Sequence, residues 1–284
     1  MLTLVTGCRG RIGSTLVSLL HRDGHAVRAA SRTPEDLAAM ATALPAGVPV
    51  VACDLGDPAT FGAALDGVDS VFLYAEPSGI DAFLSAAETA GVGHIVLLSS
   101  SSVLAPDVQG NPIAASHHAV EQALIASPLT TTLLRPGTFA SNAYQWAQSV
   151  RAHGSVDLPY PNSHSSPIDS ADIAEAALAV LTDPRLQGGA YHLTGPESLT
   201  AAERVGLLAA ASGRPIAINT VTGAAWKESV AAFLPEPFAD ALLAYSAASD
   251  GVPDEVTGDV EKLTGHPART FAAWAEENAA AFRP

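Results

Sequence analysis

Cysteine is almost missing from this chain. Cys8 and Cys53 are the only two in 284 residues, too few for a disulfide framework and in keeping with a reducing cytoplasm. Bases are scarce too: 14 Lys and Arg stand against 29 Asp and Glu, giving a net charge of −15. A surface that acidic repels phosphate backbones, so no nucleic-acid partner is expected. No apolar run approaches the roughly eighteen residues a membrane-crossing helix needs, so no membrane partner is expected either. The opening MLTLVTGCRGRIG reaches glycines at once, with no basic stretch ahead of an apolar one. It does not read as a signal peptide, and a cytoplasmic location follows as the expectation. There is no low-complexity tract, linker or fixed-period repeat.

What the chain does have is apolar content. Hydrophobic residues make up 48%, enough for a large core and against general disorder. Short β-branched or apolar runs alternate with longer Ala- and Leu-rich stretches. Residues 2–6, 26–30, 48–52, 70–74, 93–99 and 130–134 read as strands. Residues 11–23, 34–43, 58–65, 79–90 and 114–126 read as helices between them. Ile95, Val96, Leu97 and Leu98 form a continuous apolar run, the pattern of a strand buried on both faces in a parallel sheet. The alternation predicts an α/β fold with a doubly wound parallel sheet, whose ligands bind at the carboxyl ends of the strands.

After Pro136 the pattern loosens. Residues 139–152 look helical, and 153–167 read as a loop rich in Pro, Ser and Asn. Residues 171–181 and 200–211 read as helices, 190–193 and 216–220 as strands. Helices over 224–234, 237–248 and 271–280 finish the chain. The expected division is a dinucleotide-binding part over residues 1–137 and a smaller, mostly helical substrate region over 138–284, the two sharing a core.

Thr6-Gly7-Cys8-Arg9-Gly10-Arg11-Ile12-Gly13 follows the first strand and opens the first helix. Gly7 permits the tight turn, Gly10 lets backbone approach a pyrophosphate, and Gly13 lets the helix pack closely on the strand. The free amides of the helix start then hold phosphate. The plain alternative is a glycine turn without a ligand, but the strand before and helix after meet the context test. An NAD site places an acid at the end of the second strand. Here that place reads Ala29-Ala30-Ser31-Arg32. Arg32 offers a bidentate donor to a 2′-phosphate, with Arg9 and Arg11 nearby, which predicts NADP(H) rather than NAD(H). Arg32 as a solvated strand-end residue is the alternative. Asp54, in Cys53-Asp54-Leu55, suits either acceptance from an adenine amino group or a turn and helix N-cap.

Together, T-G-x-x-G-x-x-G, Arg32, Asp54-Leu55, the strand through Ser100 and Leu134-Arg135-Pro136-Gly137 resemble the atypical short-chain dehydrogenase/reductases. The likeness is to their NmrA-like branch, which includes the type-2 NADPH:quinone oxidoreductases. It covers nearly the whole chain, through Pro167-Ile168-Asp169, Asp172-Ile173-Ala174, Tyr191-His192-Leu193-Thr194-Gly195-Pro196-Glu197 and Thr264-Gly265-His266-Pro267-Ala268-Arg269-Thr270-Phe271. The resemblance implies a Rossmann fold. Gly7, Gly10, Arg11, Ile12 and Gly13 would line the pyrophosphate, with Thr6 at the start of that motif. Arg32 would meet the 2′-phosphate, and Ala75 and Glu76 the adenosine ribose. Ser99 and Ser100 would sit beside the nicotinamide ribose. Pro136, Gly137, Thr138 and Phe139 would pass the nicotinamide carboxamide. Asn142, Tyr144 and Trp146 would face the substrate.

One departure bears on chemistry. Typical members carry Tyr-x-x-x-Lys, the tyrosine giving a proton to the carbonyl. Aligned on Glu121, this chain has Ile113 and His117 in those places. Isoleucine has no proton to give, so ordinary carbonyl reduction is in doubt. A quinone needs less: the acceptor is electrophilic and its reduced form a stabilised phenolate. His117 or Ser100 is then the candidate proton donor. A ribose-binding His117 without a proton role is the alternative.

Other constellations carry less. His117 and Glu121 share a helix face without a recognisable third ligand, so no metal site is expected. Cys8 at a helix start favours a thiolate, or simply answers a need for a small residue. Trp226, Phe233, Phe238 and Tyr245 read as helix core or lid contacts. The leading expectation is an NADPH-dependent oxidoreductase acting on a small aromatic, quinone, polyketide-like carbonyl or enone substrate. A non-catalytic NADP(H) sensor and a redox-neutral isomerase or dehydratase on the same fold are the alternatives. Homodimerisation is left open.

Overall fold

In a computed structural model, residues 1–32, 39 and 42–283 are described. The central sheet has seven strands: β1 (Leu2–Val5), β2 (Ala26–Ser31), β3 (Val50–Ala52), β4 (Ser70–Tyr74), β5 (His94–Leu98), β6 (Thr130–Pro136) and β9 (Ala190–Leu193). Their spatial order is β3-β2-β1-β4-β5-β6-β9, and every neighbouring pair is parallel. The chain winds outward from β1 in one direction and from β4 in the other. The crevice between the carboxyl ends of β1 and β4 is therefore the switch point.

Both faces of the sheet are covered, which explains why β5 is buried at all five positions. Side chains alternate across the sheet. Val5, Phe72 and Val96 face one core; Leu4, Val71, Ile95 and Leu97 face the other. The first core lies under α1 (Arg11–Arg22) and α6 (Ser170–Thr182). α1 buries Ile12, Leu16, Val17 and Leu20, the spacing of one helix face. The second core lies under α2 (Phe61–Leu65), α3 (Ile80–Ala90) and α4 (Pro112–Ala126). Phe61 and Phe83 meet there edge to face at 5.2 Å. The helix predicted over residues 34–43 falls largely outside the described residues.

A third core belongs to the C-terminal half. α5 (Ala147–His153), α7 (Ala201–Ser212) and α11 (Phe271–Glu277) enclose Val150, Val205, Leu208, Phe271 and Trp274. α8 (Gly223–Val230), α9 (Glu236–Ala248) and α10 (Asp259–Thr264) complete the helices. β9 pairs with β6 from Leu133↔Ala190 to Pro136↔Leu193, and Ile168, Ile173 and Leu193 pack with Val5 and Leu134.

Three local readings need correction. The expected loop over 153–167 contains β7 (Ser155–Leu158) and β8 (His164–Ser165). Their partners, β11 (Ala217–Thr220) and β10 (Leu199–Thr200), are distant in sequence, so the local Pro/Ser/Asn content hid them. The expected helix over 139–152 begins as a 3-10 turn at Ala140–Trp146. Helix α10, six residues long, adds an element that the sequence pattern does not predict. No described helix is long and apolar enough to cross a membrane.

Candidate active site

The glycine turn is built by hydrogen bonds that leave its outer face open. The Thr6 hydroxyl donates to the Phe72 carbonyl at 3.0 Å and accepts from the Tyr74 amide at 2.8 Å, tying β1 to β4. Gly7 stands at φ +66°, the left-handed region, and its carbonyl accepts from the Gly10 amide at 2.9 Å. A Cβ on Gly13 would stand 2.6 Å from that same carbonyl oxygen, so α1 reaches the turn only with glycine there. The N-terminal amides of α1 have no side-chain cap and no acid in the first turn. By contrast, Asn111 caps α4, Asp169 caps α6 and Thr200 caps α7. An uncapped helix start behind a glycine cradle fits a dinucleotide pyrophosphate.

Cys8 is a fastener in this turn. Its thiol donates to the Val5 carbonyl at 2.7 Å, and its sulfur accepts from the Ala30 amide at 3.2 Å. Burial pushes the thiol up to about 12, so it is not a nucleophile at neutral pH; Cys53 is likewise pushed up to about 12.

Two cavities flank the turn. One, of about 280 Å³, is lined by Gly7, Arg9, Arg32, Asp54, Leu55, Ala75 and Glu76. It unites the residues assigned to the adenosine end. Asp54 and Glu76 each give one oxygen to their own turns, accepting from the Gly56 and Ser78 amides at 3.0 Å. The other, of about 250 Å³, is lined by Gly10, Arg11, Ile12, Gly13, Ser99, His117 and Phe139. Thr6, Gly7 and Tyr74 line both, so they form one cleft across the switch point. The sequence pattern gives Tyr74 only as a strand end. Its ring lies 3.5 Å from where a Gly7 Cβ would be, yet it is 55% exposed. An aromatic at the carboxyl end of a switch-point strand was the available signal.

At the inner end, His117 Nδ1 lies 2.8 Å from the Ile113 carbonyl. A carbonyl only accepts, so Nδ1 carries the proton, and in the neutral ring Nε2 is an acceptor. Ser99 also lines the cleft, but its hydroxyl donates to Glu121 Oε1 at 2.5 Å. Glu121, 2% exposed, is held bidentately by Arg135. Glu121 therefore serves no metal with His117. Ser100 lies outside the cleft lining; its hydroxyl oxygen accepts from the Ser102 amide at 3.2 Å and caps a 3-10 turn. Pro136 and Gly137 stand behind the cleft at the end of β6, the Gly137 amide donating to the Leu193 carbonyl at 2.9 Å.

A third pocket, of about 140 Å³, continues into the C-terminal half, with Thr138, Asn142, Trp146 and Arg204 in its walls. Tyr144 does not join them. Its ring packs edge-on to Trp274 at 5.2 Å and stacks on Phe282, while its hydroxyl donates to Asn278 and accepts from Arg11 at 3.3 Å. Packing into the third core explains this: Trp274 and Phe282 hold the Tyr144 ring, while Asn142, Gln145 and Trp146 line the pocket. Arg11 reaches toward Tyr144, with its guanidinium carbon 4.5 Å above the ring, leaving Arg9 and Arg32 at the adenosine end. Among the described residues one cluster, Asp172, Glu175 and His266, has the spacing of metal ligands. Arg269 bonds both of its carboxylates.

Known proteins resemble this chain along its whole length. Residues 7–184 match the family described as NAD(P)H-binding. The (4-alkanoyl-5-oxo-2,5-dihydrofuran-3-yl)methyl phosphate reductase of Streptomyces griseus is 37% identical over 99% of each chain. The NAD(P)H azoreductase of Xenophilus azovorans is 38% identical over 98% of each chain. The NADPH-dependent quinone oxidoreductase of Escherichia coli, solved with NADPH, is 26% identical, with a TM-score of 0.83 over 98% of this chain and 99% of that one. The chain thus belongs to the NAD(P)H-binding family, in the atypical short-chain dehydrogenase/reductase branch, as an NAD(P)H-dependent oxidoreductase.

Proposed function

We propose that the protein is a cytoplasmic NADPH-dependent reductase of quinones and conjugated enones. The observation that carries this reading is the proton inventory at the inner end of the cleft. Ile113 has no proton, the His117 Nδ1 proton is held by the Ile113 carbonyl, and the Ser99 proton is held by Glu121. Such a site suits an acceptor whose reduced form stabilises its own negative charge: a quinone, giving a phenolate, or a doubly activated enone, giving an enolate. The relative from Streptomyces griseus is named for a substrate of the second kind, and the relative from Escherichia coli for the first.

When bound, NADPH supplies the hydride. The chain's residues bind and orient it. Gly7, Gly10 and Gly13 admit the pyrophosphate to the amides of α1. Arg32 and Arg9, with no acid at the end of β2, favour the 2′-phosphate over a bare ribose. His117 Nε2 accepts from a ribose hydroxyl, and the reduced oxygen takes its proton from solvent. Phe139 gives the inner cleft an apolar wall. Residues 1–137 hold the cofactor, and 138–284 supply the substrate pocket, whose lining runs from Thr138 to Ser246.

The test is acceptor-dependent loss of nicotinamide absorbance across a panel of quinones and enones, with wild type and Gly10→Glu in parallel. Consumption by wild type that disappears in the variant is expected. Equal consumption by both, or none by a wild type that binds NADPH, overturns the reading.

A further inference from the structure

Among the described residues, Arg204 is a cation without a counter-ion. It sits on the first turn of α7 with its Nε shielded from solvent and without a hydrogen-bond partner. No carboxylate of the described residues lies within ion-pair distance of it, in a chain carrying 29 acids. Its guanidinium carbon stands 5.5 Å over the Trp146 ring. Burial pulls the group down to about 10, so it remains charged at neutral pH. The residue is only partly buried, but its orphaned Nε carries a desolvation cost that an anionic ligand would relieve.

The surroundings say what kind of ligand. Arg204 lines the third pocket beside Asn142, His164, Ser163 and the phenol of Tyr245, all able to donate to an anion. That pocket adjoins the inner cleft through one short segment. Thr138 and Asn142 face the Arg204 side, while Phe139 and Ser141 face the His117 side. A substrate with its electrophilic carbon in the cleft can thus extend a substituent past this wall to the guanidinium.

We propose that Arg204 is the anion-recognition residue of the substrate pocket, so that the preferred substrate is an electrophilic carbonyl compound bearing a phosphate or carboxylate group. This rests on the reductase reading for its chemistry, but not for the anion site itself. A planar guanidinium offers two parallel donors to either oxyanion.

The test compares 1,2-naphthoquinone with 1,2-naphthoquinone-4-sulfonate in NADPH consumption by wild type, Arg204→Met and Arg204→Lys. In wild type the anionic quinone has the higher kcat/KM. In Arg204→Met the anionic-to-neutral ratio falls by at least about tenfold, the value of one charge-assisted hydrogen bond, and Arg204→Lys lies between. An unchanged ratio in Arg204→Met overturns the proposal. A second readout needs no turnover: phenyl phosphate and benzoate, tested separately, raise the melting temperature of wild type and not of Arg204→Met. The larger rise says which oxyanion the pocket prefers, and equal rises in both proteins overturn the proposal. If neither quinone is reduced while phenyl phosphate still stabilises wild type alone, the reductase reading fails and the anion site stands. Removing an unpaired charge leaves Arg204→Met at least as stable as wild type. A large loss of stability would instead mark Arg204 as a structural residue and contradict the assignment.

Discussion

The Glu121 carboxylate takes both donors of the Arg135 fork, Nε at 2.9 Å and Nη2 at 2.6 Å. Ser99 adds its hydroxyl to the same carboxylate, so one buried charge pair joins α4, β6 and the carboxyl end of β5 beneath the inner cleft. Glu121→Ala strands the Arg135 guanidinium. Breaking a buried pair from one side costs about 3 kcal/mol, read as a lowered urea midpoint. Glu121→Leu with Arg135→Met recovers most of that loss, since neither charge is then left alone.

Gly13→Ala disables cofactor binding more than Gly10→Ala. The added methyl meets the Gly7 carbonyl oxygen at 2.6 Å in the first case and at 3.3 Å in the second. Titration of NADPH by fluorescence should show at least about tenfold weaker binding for Gly13→Ala, or 1.4 kcal/mol, and a smaller loss for Gly10→Ala.

Tyr74→Ala separates binding from stability. The ring is half exposed and lines both ends of the cleft. The variant should unfold within about 0.5 kcal/mol of wild type, while the KM for NADPH rises roughly fivefold, the worth of one aromatic contact.

These expectations rest on features of unequal legibility. The turn from Thr6 to Gly13 could be read because each glycine answers a local steric need, whereas the strand order that puts the switch point between β1 and β4 comes from the structure. Strand β7 could not, because Val156 and Leu158 become strand residues only by pairing with Ile218 and Thr220. The resemblance alone places Tyr144 on the substrate side, and the aromatic rings that hold it elsewhere, Trp274 and Phe282, come from the distant end of the chain. Arg204 gave no local signal at all. Its meaning lies in the carboxylate that is not beside it, which is a property of the packed molecule.

Arg269 anchors the C-terminal segment to the first turns of α6. It bonds Asp172, which is fully buried, and Glu175. Burial pushes the Asp172 carboxyl up, and Arg269 holds Glu175 down. Arg269→Met should cost about 3 kcal/mol at neutral pH. The cost shrinks as pH falls, because the stranded Asp172 takes up a proton, and Asp172→Asn in the same chain restores much of it. Denaturation at several pH values checks both statements.

His94 makes part of the fold acid-labile. Burial pulls its imidazole down from 6.5 to about 4, with Nε2 on the Thr132 hydroxyl at 2.8 Å. Above pH 6.5 the ring is neutral folded or unfolded and contributes no slope. Between 6.5 and about 4 only the unfolded chain binds the proton, so stability falls with pH by roughly 3 kcal/mol. His94→Gln should flatten that part of the stability curve relative to wild type.

The central claim is hydride transfer from NADPH to an electrophilic carbon in the cleft beside His117. Its most direct test is the reduction of a conjugated enone with NADPH deuterated at the transferring carbon, followed by mass spectrometry of the product. The account predicts deuterium bonded to carbon in the product, with label transfer at sub-saturating NADPH at least about tenfold slower in Gly13→Ala. A product without deuterium, or formed equally well by that variant, would contradict it.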